Sequence, residues 1–561
     1  MNIQRITLLL LILYSITVHA AVPKSVNKFS KAIISVITYD KEGNILHSGN
    51  GFFISPDGTA VSEYAVFSDA FKAEIIDANG KKWPVTRIMG ANEIYNLVKF
   101  KVAGDKSITA LSTNVSTPNT TAQHFILPYT TEKKNVPIST TIEKSENTPD
   151  GNYYTLNVPY NSQHCNLPMV TEKGELVGII QRNANEAETK SYAIGSAILS
   201  SLVIKPLSIN NPALRKIHIQ QALPNNESDA ITYLYLLGQS ADSTRYLTAA
   251  TDFITAYPKR TEGYVERASF YANCGQYANC EADIEYALKI SSDNKDQIHY
   301  TFGKIIYQQN LYSTDFDYKD WTLEKALKEA ETAYQINPLP LYLILKGDCY
   351  FGMRNYEQAF QTYQEVNKSN IASAETFFYA ANAKEKAGGT AEEIIVLLDS
   401  AIARYNTPYP KKAAPFFFER AKLHTKAGDY RKAVLDYNEY EHLIGYQNLN
   451  DHFYYLREQV ELASKLYAQA IADIERAMLL NPKELTYQLE HAILMLRTNQ
   501  NDAAIQSAQK VLKQQPDNSD ANKILGLAWG EKGDKKQAVN YLKKASELGD
   551  EQAEEFIKQY K

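Results

Sequence analysis

The chain has 561 residues, 44% of them hydrophobic, which is enough for several domains with real cores. Its formal net charge of −5 is small, and its positive charge comes as scattered pairs such as Lys81-Lys82 and Lys411-Lys412. Without a basic tract, nucleic acid is not an expected partner. The histidines show no HxxxH-type spacing, so no metal is expected, and no other cofactor either.

Residues 1–20 read as a secretory signal: Arg5 supplies the charged start, 8–16 the apolar run, and Val18-His19-Ala20 an A-x-A-like cleavage site. The apolar run is short of the roughly 20 residues that a spanning helix needs. No later stretch is long and apolar enough, and no cysteine follows the run to carry a lipid. The expectation is an exported protein, periplasmic or extracellular, with no integral membrane segment after cleavage.

From 26 to 207 the chain is rich in Val, Ile, Thr and Tyr, with turn signals every ten or so residues, as in an all-β fold of short strands. The run 32–38 reads as a strand and Glu42-Gly43-Asn44 as a hairpin turn. Then 49–58, GNGFFISPDG, makes strand, turn and the start of another strand, and 174–180 closes the domain.

Three stretches together, GNGFFISPDG, the NLVKFKV strand at 96–102 and PMVTEKGELVGI at 168–179, resemble the trypsin-fold serine peptidases of the HtrA type. The resemblance implies a trypsin-like double β-barrel. It also implies a histidine base in a TNxHVV-like segment after the SPDG turn, and here Ala65 takes that place. An aspartate should head the DLAVLKV-like strand, and here Asn96 stands there. The GNSGGP segment with the nucleophilic serine is replaced by Gln163-His164-Cys165-Asn166-Leu167-Pro168, so that Cys165 takes the serine's place. A cysteine can act as nucleophile in this fold, but a thiolate needs a base or a positive neighbour. Ala65 supplies none, and His164, adjacent on an extended segment, points to the opposite face. His47 and His124, the domain's other histidines, stand at no base position. The glycines that let backbone N–H groups form an oxyanion hole are also missing. The expectation is a pseudoprotease.

The stretch 208–229 mixes polar residues with Pro212, Pro224 and Asn225-Asn226 and reads as a helix-containing linker. From 230 to 550 the pattern is helical and repetitive. Pro482 and Pro516 stand 34 residues apart. Aligned on them, Tyr454, Ala470, Ile474 and Ala477 match Gln488, Ala504, Ala508 and Val511, and then Asn522, Ala538, Leu542 and Ala545. Small residues, among them Ala492 and Gly526, recur where paired helices must approach closely. This spacing resembles the tetratricopeptide repeat. It implies eight or nine helix pairs that bury their apolar stripes by stacking, with 551–561 as a polar capping helix. Cys280 and Cys349 fall at core positions, and a Cys274–Cys280 disulfide stays open.

By the family's register the inward positions of the first helices include Phe378 and Asn382, Phe418 and Lys422, Tyr455 and Gln459. Such a groove suits a protein or peptide ligand, and packing between neighbouring helices is the equal alternative for the same residues. The resulting reading is multidomain β plus α: a non-catalytic, exported interaction scaffold with an inactive trypsin-like domain. Two alternatives stay open, an HtrA-like peptidase with Cys165 as nucleophile and an envelope stress or peptide sensor.

Overall fold

A computed structural model describes residues 23–560 apart from 104–107, 114–118, 130–135, 184–188, 240–242 and 315. The expected signal segment, 1–20, lies outside the described residues. The chain forms two compact units, 1–293 and 294–561.

The first unit begins with a closed antiparallel barrel. Its strands are β1 (Ile33–Tyr39), β2 (Ile45–Phe53), β3 (Thr59–Glu63), β4 (Lys72–Ile76), β5 (Lys82–Asn92) and β6 (Leu97–Val102), in the order β1-β2-β3-β6-β5-β4. Alternation drives the closure. Ile34, Val36, Phe53, Ala60, Ile75, Ile88, Val98 and Phe100 point inward and are buried in one cluster. The GNGFF run works for a steric reason: a Cβ on Gly51 would lie 2.5 Å from the Val61 carbonyl of the paired strand. The SPDG turn is held by Asp57, whose carboxylate accepts from the Thr59 N–H (3.0 Å) and hydroxyl (2.8 Å) and pairs with Lys101 (2.6 Å).

Seven further strands make an antiparallel sheet. They are β7 (His124–Ile126), β8 (Ile138–Thr140), β9 (Ile142–Thr148), β10 (Gly151–Pro159), β11 (Pro168–Val170), β12 (Leu176–Gln181) and β13 (Lys190–Gly195), in the order β8-β7-β11-β12-β13-β10-β9. Two expectations change here. Among the described residues, hydrogen bonding closes the first lobe into a barrel, whereas β8 and β9 end the second sheet as edge strands. The strand at 174–180 does not close the domain either, since β13 follows and pairs with both β12 and β10. One apolar cluster joins the lobes: Ile33, Phe52, Val61 and Leu97 from the barrel meet Phe125, Val170, Ile179 and Ile194 from the sheet.

The segment 208–229, expected as a linker, is instead folded onto the barrel. The Ile88 N–H donates to the Gln220 carbonyl (2.8 Å) and the Ala222 N–H to the Ile88 carbonyl (2.8 Å), so the chain runs along β5 as a short parallel ladder. Ile217, Ile219 and Gln221 alternate inward and are buried. The helices that follow are α1 (Glu227–Gly238), α2 (Ser243–Ala256), α3 (Thr261–Asn273) and α4 (Tyr277–Ile290). The first pair shares the barrel's apolar cluster through Tyr233, Leu234, Leu237 and Phe253. Asp252 on α2 accepts two bonds from Arg87 on β5, at 2.7 and 2.8 Å.

The second unit is all helical among the described residues: α5 (Lys295–Tyr312), α6 (Leu323–Ile336), α7 (Pro340–Gly352), α8 (Tyr356–Asn367), α9 (Ala374–Lys386), α10 (Ala391–Ile402), α11 (Ala414–Lys426), α12 (Tyr430–Ile444), α13 (Asp451–Ala463), α14 (Tyr467–Leu480), α15 (Leu485–Arg497), α16 (Asn501–Gln514), α17 (Ser519–Glu531), α18 (Lys535–Glu547) and α19 (Ala553–Tyr560). No described helix is long and apolar enough to cross a membrane. The small residues sit where close approach requires them. Ala470, Ala492, Ala504 and Ala538 are fully buried, and a Cβ on Gly526 would lie 2.5 Å from the Leu542 side chain.

Polar contacts repeat with the helices. Asp296 at the start of α5 accepts from Asn337 (2.9 Å) and Tyr342 (2.8 Å), and Asp451 at the start of α13 accepts from Asn481 (3.0 Å) and Tyr487 (2.9 Å). In both places one carboxylate ties the end of one helix pair to the beginning of the next.

Candidate functional site

The three triad-related positions all lie among the described residues. Asn96, at φ 53° just before β6, accepts through its side-chain oxygen from the Ala65 N–H at 2.8 Å. Ala65 itself is exposed in the single helical turn Tyr64–Phe67 that follows β3. The structure thus brings Asn96 to Ala65, with the amide oxygen spent on backbone.

Cys165 has other partners. Its thiol is 5% exposed, lies 3.5 Å from the Tyr160 hydroxyl and donates to the Gln181 carbonyl at 3.8 Å. His164 ends a short turn opened by Asn161, whose side-chain nitrogen lies 3.4 Å from its Nε2, and burial pushes the imidazole's pKa down. His124 is buried in β7 and likewise lowered by burial, whereas His47 is exposed on β2. Among the described residues, none of these rings makes a hydrogen bond to the Cys165 sulfur.

Sequence reasoning missed what does meet at this junction. Glu63, the last residue of β3, is half-buried between Asn96, whose side-chain nitrogen is 3.4 Å away, and Asn166 from the segment before β11. Burial raises the carboxyl's pKa, while the hydrogen bond from Asn166, the nearby Arg182 charge and the Asn96 amide pull it back. Asn166 stands at φ 60°, a left-handed position that asparagine tolerates, and its N–H donates to the Ile180 carbonyl at 2.8 Å. An amide–carboxylate–amide cluster can hold a polar group by hydrogen bonds.

In the second unit three of the six groove positions converge. Phe378 and Asn382 on α9 and Lys422 on α11 line one pocket of about 150 Å³, with Glu385, Glu419 and Lys426. The added residues continue the same stripes, at 378, 382, 385 and at 419, 422, 426, a helical spacing that could have identified them. Lys422 Nζ is 2.7 Å from the Glu419 carboxylate. Ile394, Leu398 and Leu423 form the apolar floor. A volume of that size holds ~5 waters or one side chain.

The other three positions are absorbed by packing. Phe418 lies 4.9 Å from Tyr440 and 5.7 Å from Tyr437, ring centre to ring centre. Tyr455 lies 5.3 Å from Tyr487. Gln459 donates to the Glu458 carboxylate at 2.6 Å.

Two of the remaining three cysteines occupy packing positions. Cys280 and Cys349 are buried, and Cys274 is a free, exposed thiol, so it forms no bridge to Cys280. Among the described residues, no group of three or more His, Cys, Asp or Glu is placed to hold a metal ion.

No protein-family model matches this chain, and no curated protein matches it. Among solved structures, the crystal structure of the serine endoprotease from Yersinia pestis is similar at 19% identity, over 32% of this chain and 63% of that one. The TM-score is 0.27, a weak likeness, and the chain spans less than two thirds of the length of that structure.

Proposed function

We propose that this chain is an exported, non-catalytic protein-interaction scaffold. In this reading the second unit is a tetratricopeptide-type array that takes a protein or peptide partner. The N-terminal region is a trypsin-type domain without a working triad, serving as a second interaction module.

The observation that carries the reading is the pocket at Phe378, Asn382 and Lys422. It joins an apolar floor to charges of both signs on two successive first helices, the combination that fixes one side chain of a bound peptide and orients its neighbours. Support on the N-terminal side comes from chemistry. A thiol held by a tyrosine hydroxyl and a carbonyl, with no imidazole bonded to it among the described residues, lacks the base that nucleophilic catalysis needs.

Site-specific photocrosslinking in cells tests the array. A photoreactive residue replacing Asn382 should trap a discrete partner. The same residue replacing Val396, which is 62% exposed on α10, should not. The charge-reversed variant Lys422→Glu should weaken the Asn382 adduct by about tenfold or more, as loss of a charge-assisted contact implies. Equal adducts at both positions, or an adduct indifferent to Lys422→Glu, would refute the pocket as the partner site.

A further inference from the structure

A second, larger cavity lies wholly within the first unit, where the segment after the β sheet folds back on the barrel. It has a volume of about 900 Å³, within the range of small-molecule sites. Its walls are of two kinds. Phe71 and Leu236 are apolar, and Phe71 is 42% exposed with its ring stacked on His218, centroids 4.1 Å apart and 16° from parallel. Arg215, His218, Gln220 and Arg245 supply nitrogen donors. Among the described lining residues there is no carboxylate.

These groups are held, not trailing. The His218 N–H donates to the Ala70 carbonyl at 2.9 Å, the Asp69 N–H to the Lys216 carbonyl at 2.8 Å, and the Gln220 carbonyl receives Ile88 from β5. Asn211 caps the turn that carries Arg215, accepting from the Ala213 and Leu214 N–H groups. Arg245 donates to the Ile217 carbonyl at 3.2 Å.

One donor is uncommitted: the Arg215 guanidinium is exposed and makes no ion pair among the described residues. A planar guanidinium matches the oxygens of a carboxylate or a phosphate. The aromatic and leucine wall has no use for an inorganic ion alone, and it offers burial to an apolar body attached to the anion.

We propose that this pocket binds an organic oxyanion: a carboxylate or phosphate group seated at Arg215, carried on an apolar or aromatic body that lies along Phe71 and Leu236. The site is separate from the triad-related positions and from the helical-array pocket, and it does not depend on the scaffold reading.

Titration of the full-length mature protein with four probes tests it: N-acetylphenylalanine, phenyl phosphate, the neutral N-acetylphenylalanine amide, and inorganic phosphate. Saturable binding of at least one aryl anion is expected below ~10 mM, at least tenfold tighter than the amide. Whichever of N-acetylphenylalanine and phenyl phosphate binds more tightly assigns the anion as carboxylate or phosphate. Arg215→Gln, at an exposed position, should weaken the aryl anion by tenfold or more. Phe71→Ala should weaken the aryl anions and leave inorganic phosphate unchanged. Arg431→Gln, an exposed arginine in the other unit, should change nothing. No saturable binding of either aryl anion, equal binding of acid and amide, or full binding by Arg215→Gln would each overturn the proposal.

Discussion

Cys165 decides between a scaffold and a cysteine peptidase, and its surroundings set the expectation. Reactive thiols sit exposed beside a cation or a base, whereas buried ones behave as small apolar residues. Cys165 is 5% exposed against Tyr160 and the Gln181 carbonyl. Cys349 is buried too, and burial followed by the Asp348 charge pushes its thiol up to about 12. Brief alkylation with iodoacetamide at neutral pH should therefore modify exposed Cys274 first and leave Cys165 and Cys349 intact until the chain is unfolded. Peptide mass spectrometry reads the order directly. Fast, selective modification of Cys165 would reveal a thiolate and make the peptidase the better reading.

At the scale of elements, α13 carries the most consequential charges in the second unit. Arg457 bonds both oxygens of Asp473 on α14 (2.6 and 2.9 Å) and also reaches Glu441 on α12 (2.7 Å). The same register returns in Arg267 with Asp283 and Arg420 with Asp436, bidentate in each case. Glu458, next along α13, is fully buried, with one oxygen that has no partner among the described residues. Burial, then the Glu490 charge, pushes its carboxyl up to about 8, while the Gln459 amide opposes the shift. The folded form therefore holds a proton that the unfolded chain, with an ordinary carboxyl, releases near pH 4.5. Stability from this group is fully present below that ordinary value and is lost as pH rises towards about 8. Glu458→Gln keeps the acceptor for Gln459 and removes the titration. It should melt with wild type at pH 4.5 and above it at pH 8.5, by about 2–4 °C for each kcal/mol recovered. A variant that melts lower than wild type at pH 8.5 would mean the ionised carboxylate is stabilised by something other than these neighbours.

What the sequence made legible follows from the strength of each local signal. The strand β1 was readable because Ile34, Val36 and Thr38 alternate inward, and the helix pairs because alanine and glycine recur at contact positions. The Arg–Asp pairs went unread although a fixed interval of 16 residues separates each pair, since two charges so spaced mean nothing until helices fold side by side. The segment 208–229 misled because prolines and asparagines punctuate it. Its inward set, Ile217, Ile219 and Gln221, is a strand alternation only three positions long and ends on a polar residue. Gln221 is buried because its amide donates to the Leu214 carbonyl (3.1 Å) and accepts from the Tyr233 hydroxyl (3.2 Å). Register named six groove positions, of which Phe378, Asn382 and Lys422 line one pocket. It did not separate them from Phe418 and Tyr455, because an aromatic ring facing a groove and one filling a helix interface occupy the same sequence positions.

For the whole molecule, the consequence is that the cut between β region and helical region does not fall at 207. The barrel's apolar cluster continues without a break through Leu214, Ile217 and Ile219 into Tyr233, Leu234, Leu237 and Phe253, and Arg87 clamps Asp252 across it. A fragment starting at 208 would turn this face to water, and an apolar patch larger than a few hundred Å² drives association. A fragment ending at 293 keeps the face covered, and one starting at 294 coincides with the second compact unit, in which each helix pair is supported chiefly by its neighbours. We therefore expect 23–293 and 294–561 to be soluble, to give folded circular-dichroism spectra and to melt cooperatively. The fragment 208–561 should bind an apolar dye and aggregate at concentrations where the other two remain monodisperse. Size-exclusion chromatography with dye fluorescence separates the cases. If 208–561 elutes as a dye-silent species of one size, the first helix pair needs no barrel, and the array begins where the repeat pattern alone would place it.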